Sequence, residues 1–109
     1  MKKLNPEILE LISRRLKAMS EPIRLKILQC LRDGERSVGD VAARLDLKHG
    51  TASANLVAMQ KAGLVVSRRE GNRVIYRIGS DLVFKICDSV CAALKTELSS
   101  LSRLKKSLS

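Results

Sequence analysis

Three cysteines are the residues of this chain whose side chains could carry out covalent or metal chemistry. Cys30 lies in the first third of the sequence, and Cys87 and Cys91 lie four residues apart near its end. Helical neighbours at that spacing have Cβ atoms about 5–6 Å apart, whereas a disulfide needs about 3.5–4.5 Å. A bond from Cys30 to Cys87 or Cys91, or a bond between two copies of the chain, therefore fits better than one between Cys87 and Cys91.

These thiols admit three interpretations. They could respond to an oxidant, a persulfide or an electrophile, because an accessible thiolate is the reactive form. Two or three thiolates could instead hold a soft ion such as Cu(I) or arsenite. All three cysteines also lie on or near apolar stripes, so they could simply pack as small apolar side chains. Their odd number argues against a disulfide framework and favours reduced thiols.

A second set of side chains suits contact with a polyanion. Part of this set lies at the start of a predicted helix and the rest surrounds the tip of a predicted hairpin. Such side chains can donate hydrogen bonds to phosphates and base edges. The alternative is a solvated polar surface, on which arginines discourage strand pairing. We predict that the set contacts DNA; it consists of Lys48, His49, Thr51, Ser53, Asn55, Arg68, Arg69 and Arg73.

Charge and composition narrow the class of protein. The formal net charge is +10, from 21 Lys and Arg against 11 Asp and Glu, which predicts attraction to a polyanion, either a nucleic acid or an anionic membrane surface. The near absence of aromatic rings disfavours RNA, whose bases stack on such rings. The chain has no glycine-rich phosphate loop and no convincing nucleophile–base pair. We therefore expect no enzyme and no cofactor, and a lone histidine, His49, is no metal site by itself.

Periodicity predicts five helices and one hairpin. The first helix begins at Asn5-Pro6, and the interruption at Ser20-Glu21-Pro22 starts the second, which Asp33-Gly34 ends. Ser37 and Asp40 fit a capping box for the third helix. The first helix has an apolar stripe of Ile8, Ile12, Leu16 and Met19, with Leu9 and Leu11 at its edges. The inward positions predicted for the second and third helices are Ile23, Ile27, Leu28, Leu31, Val38, Val41, Ala42 and Leu45.

The fourth helix is predicted from about 50 to 62, with Gly63 as its stop. Ala52, Leu56 and Met59 should face inward, which leaves its polar N-terminal residues outside. The hairpin turns at 70–72, with Val74, Tyr76 and Ile78 on one face and Arg73 and Arg77 on the other. The last helix runs from about 81, with an apolar stripe of Val83, Ile86, Cys87, Val90, Cys91, Leu94 and Leu98.

These elements predict a mainly α fold with a small β-hairpin, in other words a winged helix-turn-helix. We expect a single domain over 1–109, with a core of about 8–98 and a basic tail, 99–109, that extends the last helix or frays. No apolar run approaches the roughly 18 residues of a membrane span, and the N-terminus does not fit a signal peptide. A cytoplasmic protein without a membrane partner is expected.

The first and last helices carry more apolar residues than one small core can use. The surplus predicts a homodimer through these two helices, because a twofold pair buries the same patch of each copy. Two recognition helices would then lie about 34–36 Å apart and would meet an inverted repeat in double-stranded DNA.

Several segments together resemble the ArsR/SmtB family of winged-helix repressors. L-K-A-M-S-E-P-I-R-L-K-I-L at 16–28 is similar to the family's opening, and S-V-G-D-V-A-A-R-L at 37–45 resembles its first helix-turn-helix segment. K-A-G-L-V at 61–65 and R-R-E-G-N-R-V-I-Y-R-I at 68–78 resemble the end of its recognition helix and its wing. The resemblance covers about 8–98 and implies a homodimeric repressor that a ligand or thiol chemistry releases from DNA.

Departures from the family bear on the signal. Lysine stands at 48, where the family has a capping serine, and lysine cannot cap a helix N-terminus. The positions matching the family's metal ligands hold Ser80, Leu82, Ala93 and Thr96 on one side and Ser37 and Gly39 on the other, none of which suits zinc. Thiol-sensing members place one cysteine in the second helix and one in the last. Cys30 and Cys91 resemble that layout, displaced by about one residue and one helical turn.

The sequence thus predicts a sequence-specific DNA-binding transcriptional regulator, a dimeric repressor released by a thiol-linked signal. Oxidant, persulfide or electrophile fits better than arsenite or another soft metal, for which the ligands would be the same three cysteines. The alternative is a winged-helix interaction or anti-repressor module with structural cysteines.

Overall fold

The computed structural model describes residues 3–108 as five helices and a three-stranded antiparallel sheet. The sheet has the order β1-β3-β2. The predicted winged helix-turn-helix is confirmed. In chain order the elements are α1 (Pro6–Met19), α2 (Pro22–Arg32), β1 (Arg36–Ser37), α3 (Val38–Leu45), α4 (His49–Lys61), β2 (Val65–Glu70), β3 (Arg73–Ile78) and α5 (Leu82–Leu108).

Side-chain caps begin α1 and α3. Of the capping box predicted for α3, the Ser37 half forms, whereas the Asp40 carboxylate pairs with Arg36 and Arg44. Asn5 Oδ1 accepts a hydrogen bond from the backbone N–H of Ile8 at 2.9 Å, and Ser37 Oγ accepts one from the N–H of Asp40 at 3.0 Å. Each cap satisfies a backbone donor that the first helical turn leaves without a partner. α4 has no side-chain cap, since Lys48 stands at the cap position. It begins at His49, one residue before the predicted start.

Two backbone positions with positive φ set the ends of the helix-turn-helix. Asp46 has φ 53° and ends α3, and α4 begins only three residues later, at His49. Gly63 has φ +80° and ends α4 as predicted. This conformation is unfavourable for a residue with a Cβ. A Cβ at position 63 would also lie 3.2 Å from Nη2 at the flexible end of Arg15, which can shift, so the positive φ is what favours glycine there.

The sheet contains a strand that periodicity did not reveal. β1 pairs through Arg36 with Tyr76 and through Ser37 with Ile75, and a strand of two residues is too short to show an alternating pattern. Ile75 is buried although it lies on the face of β3 that was expected to be solvated. Its two cross-strand neighbours, Ser37 and Arg68, flank it on that face.

The core is formed mainly by α2, α3, α4 and the base of the wing. Ala52, Leu56 and Met59 of α4 are fully buried, as predicted. Of the apolar stripe predicted for α1, only Met19 is buried in the single chain, where α1 buries Ala18 and Met19. α5 likewise buries only Val83. Periodicity shows that a face is apolar but not which molecule covers it.

α5 continues to Leu108 and is 27 residues long. Within the described residues the predicted tail is therefore helical rather than frayed; Ser109 lies outside them. From Asp88 onward every described residue of α5 is exposed, so this part leaves the body of the domain. No helix among residues 3–108 is both long and apolar enough to cross a membrane.

Candidate nucleic-acid interface

A notch of about 240 Å³ lies where the helix-turn-helix meets the wing. His49 and Ser53 line it from the first turns of α4, and Asn72 and Arg73 line it from the tip of the wing. Ser37, Val38 and Gly39, at the start of α3, also line it, together with Val74. Three of the predicted contact residues, His49, Ser53 and Arg73, therefore converge although up to 24 positions separate them in sequence.

The chemistry of this notch suits a phosphate group. A guanidinium, an imidazole, a carboxamide and a hydroxyl can all donate hydrogen bonds to phosphate oxygens. Asn72 was not among the predicted contacts. It is the turn residue between Gly71 and Arg73, so its place beside a predicted contact residue was the available signal.

The wing arginines fall into two groups. Arg68 Nη2 lies 2.6 Å from Glu35 Oε1 and Arg68 also pairs with Glu70. The hydrogen bond from Arg68 holds the pKa of Glu35 below its ordinary value, and the same two carboxylates raise the pKa of Arg68. Arg69 and Arg73 are exposed and form no ion pair within residues 3–108. Their charges remain available, whereas Arg68 is neutralised locally.

The predicted α4 residues also differ in their surroundings. Lys48, His49 and Thr51 are exposed, and Ser53 is half-buried in the notch. Asn55 is half-buried and its carboxamide hydrogen-bonds within the protein, to Arg24 and to the carbonyl of Thr51. The helix therefore presents its first turn to solvent, while Asn55 faces α2.

α3 has its own charge cluster, centred on Asp40. Arg36 Nη1 and Arg44 Nε donate to Asp40 Oδ2 at 3.0 and 3.1 Å. These two hydrogen bonds hold the pKa of Asp40 below its ordinary value, and the bond from Arg36 has the larger effect. A further hydrogen bond runs from Arg36 Nε to the carbonyl of Cys30 at 2.8 Å. Arg36 thus ties the end of α2 to the start of α3.

The three thiols occupy different environments. Cys30 and Cys87 are half-buried and pack against the core from α2 and α5, whereas Cys91 is exposed. All three are free cysteines. Near these two thiols an ion pair joins α2 to α5. Arg32 of α2 donates to both carboxylate oxygens of Asp88 at 3.2 and 3.1 Å, and its guanidinium lies 4.8 Å from the centre of the Phe84 ring.

Metal ligands do not gather in this part of the chain. Among residues 3–108 no group of three or more His, Cys, Asp or Glu side chains is placed to hold a metal ion. The predicted thiol set Cys30, Cys87 and Cys91 therefore does not form such a group in this arrangement.

Helix-turn-helix, wing and basic tip together define a winged helix-turn-helix module of the kind used by transcriptional regulators. A helix-turn-helix domain model matches residues 19–68. The chain is 35% identical over 77 residues to the biofilm growth-associated repressor of Agrobacterium fabrum, covering 71% of this chain and 66% of that protein. It is 42% identical over 65 residues to the transcriptional activator HlyU of Vibrio cholerae, covering 60% of each.

A solved structure agrees with these relatives. It is the homodimeric winged helix-turn-helix DNA-binding domain, fragment 1–100, of a possible ArsR-family transcriptional regulator from Mycobacterium bovis. The match has 36% identity and a TM-score of 0.75, and it covers 87% of this chain and 91% of that one.

The chain belongs to the ArsR/SmtB family of winged helix-turn-helix transcriptional regulators. It spans 66% and 60% of the length of the two relatives named above, which therefore contain further sequence that this chain does not match.

Proposed function

We propose that this protein is a homodimeric transcriptional regulator that binds double-stranded DNA and is released by modification of its thiols. The observation that carries the DNA-binding role is the notch at which His49, Ser53, Asn72 and Arg73 converge. Donors from the recognition helix and from the wing meet there, as a backbone phosphate between the two would require.

The exposed first turn of α4 would enter the major groove, with Lys48 and Thr51 beside the notch. Arg73 would contact the phosphate in the notch and Arg69 a neighbouring phosphate, because neither arginine forms an ion pair within the described residues. The net charge of +10 supplies the long-range attraction that brings the duplex to this face. Arg68 is assigned a different role, namely holding the wing against Glu35 of the α2–β1 loop.

Dimerisation is inferred from the apolar surface of α1 and α5. Monomeric proteins seldom expose a large contiguous apolar patch, and these two helices carry most of the exposed large apolar side chains. On α1 they are Ile8, Leu9, Leu11, Ile12 and Leu16, and on α5 they are Leu82, Val90, Leu94, Leu98, Leu101, Leu104 and Leu108. A second copy would cover them and present two recognition helices to an inverted repeat about 34–36 Å apart.

The salt dependence of DNA affinity tests the phosphate contacts. We expect wild-type affinity for random duplex DNA to fall linearly in a plot of log K against log salt concentration. Arg73→Ala should reduce that slope by about 0.9 per protomer, since one phosphate contact releases about that many counterions. Fluorescence anisotropy of a labelled duplex across a salt series measures both the slope and the affinity.

Arg68→Ala is the matched control, because it removes the same charge from the same hairpin. We expect it to change the slope by much less, since Glu35 and Glu70 already neutralise Arg68. An equal loss of slope in both variants would contradict the division between the two arginines. A wild-type protein with weak, salt-independent binding would instead favour a protein-interaction module.

The thiol signal is inferred from the positions of Cys30 and Cys87. Both are half-buried and pack against the core, Cys30 from α2 and Cys87 from α5. Adding an oxygen, a sulfur or a cross-link to either one would change that packing, and a dimer arrangement suited to the modified form would bind DNA less well. The difference in binding free energy between two such arrangements is commonly about 1–3 kcal/mol.

Removal of all three sulfurs tests this signal. We expect the Cys30→Ser, Cys87→Ser, Cys91→Ser variant to bind DNA as wild type does and to stay bound in the presence of oxidant, persulfide or arsenite. Under the same reagents the wild type should lose about five- to 150-fold in affinity. Normal release of the triple variant would show that the thiols are not the sensor. Equal retention of DNA by both proteins would mean that the cysteines only pack.

A further inference from the structure

Arg24, in the first turn of α2, connects three helices. Its Nε donates to Oδ1 of Asn55 on α4 at 3.1 Å, and its Nη1 donates to the carbonyl of Ala18 at the end of α1 at 3.4 Å. Both contacts are partly buried, so water competes for them less than for a surface pair. One guanidinium thus joins the recognition helix to the α1–α2 junction.

The carboxamide of Asn55 is engaged at both ends. Its oxygen accepts from Arg24, and its Nδ2 donates to the carbonyl of Thr51 one turn earlier at 2.9 Å. An asparagine that recognises adenine uses both its oxygen and its nitrogen on the base edge. In this arrangement Asn55 therefore holds α4 in place and is not free to recognise a base.

A second arginine, this one on α1, lies beside the other end of the recognition helix. Arg15 of α1 lies over Gly63, the residue that ends α4, so closely that a Cβ there would be 3.2 Å from Nη2. The hydrogen bonds of Arg24 connect α4, near its middle, to the end of α1, and Arg15 of the same helix lies beside the residue that follows α4. Side chains that hold a binding element within about 0.5 Å of its productive position contribute to affinity without touching the ligand.

We infer that Arg24 is a positioning residue for DNA binding and acts through Asn55 to fix the orientation of α4 relative to α1. The inference rests on the proposed DNA-binding function. Because α1 also carries part of the apolar face assigned to the partner subunit, Arg24 links the dimer-facing helix to the recognition helix. It touches no DNA in this role, which separates it from Arg73.

A double-mutant cycle tests the inference. We expect Arg24→Gln and Asn55→Ala each to weaken binding to a duplex selected from a random library by the wild type, by about tenfold, the usual effect of one hydrogen bond to a charged group. The double variant should be no weaker than either single one, since each removes the same contact. The salt slope should stay at its wild-type value in all three.

Lys26→Gln is the matched control, because it removes one positive charge two residues away on the exposed side of α2. It should show no coupling to Asn55→Ala. Urea midpoints identify any variant that has lost its fold. If Arg24→Gln does not fold, Asn55→Ala alone tests the contact, since it breaks the same hydrogen bond without removing a charge.

Three outcomes would overturn the inference. A fall in slope of about 0.9 for Arg24→Gln would mean that Arg24 contacts a phosphate directly. Losses that multiply in the double variant would mean that the two residues act separately, and wild-type affinity in Asn55→Ala would mean that the contact has no role. Absence of salt-dependent DNA binding by the wild type would contradict the proposed function instead.

Discussion

Leu56→Ala is expected to lower the free energy of unfolding by about 2–5 kcal/mol. Leu56 is fully buried in the middle of α4, at the centre of the core that α2, α3 and the base of the wing share. Its removal loses the transfer free energy of the side chain and leaves a cavity that rigid neighbours fill only in part. Urea unfolding followed by circular dichroism measures the effect, at one fixed protein concentration because a dimer's stability depends on it.

Val57→Ala is the control from the next position of the same helix. Val57 is 41% exposed, and alanine is the better helix former, so we expect a change within about 0.5 kcal/mol of wild type. A similar cost for both substitutions would contradict the assignment of the core face of α4.

Leu94→Glu is expected to convert the proposed dimer to a monomer and to weaken binding to an inverted-repeat duplex by about 10²–10⁴-fold. Leu94 lies on α5 beyond the body of the domain and is 50% exposed, so a glutamate there costs the single chain little. In a dimer the carboxylate would be buried against an apolar partner without a counter-charge. A monomer loses the gain of binding two half-sites at once, which is of about that size. Sedimentation equilibrium gives the mass and anisotropy gives the affinity.

Thr96→Glu adds the same charge on another side of the helix, two residues away, and should leave a dimer with nearly normal affinity. If Leu94→Glu remains dimeric, α5 does not form the interface. If the wild type is monomeric, the proposed assembly itself is wrong.

Most of the fold could be predicted from local sequence patterns. The caps at Asn5 and Ser37, the stop at Gly63 and the buried triplet of α4 each depend on residues within a few positions of one another. Such signals are visible in a sequence because helix and turn geometry fix which neighbours meet. β1 was missed because it has no local signal of this kind. Its two residues become a strand only by pairing with β3, which lies far away in sequence.

The structure separates the candidate DNA contacts into side chains that are available and side chains that are already engaged within the protein. The predicted set holds residues of suitable chemistry in the correct region, and His49, Ser53 and Arg73 do meet at one notch. Arg68 and Asn55 have the same chemistry but are engaged by Glu35 and Arg24, which lie 33 and 31 positions away. No local sequence pattern predicts a contact between two residues that far apart in the chain.

The sequence by itself determined the order of the elements, the basic character of the surface and the family, because these follow from composition and from contacts between near neighbours. The tertiary structure alone decided which arginines keep an available charge, where Asn55 points, and which residues of α1 and α5 the single chain buries. These properties depend on which distant segments the folded backbone brings within hydrogen-bonding or packing distance.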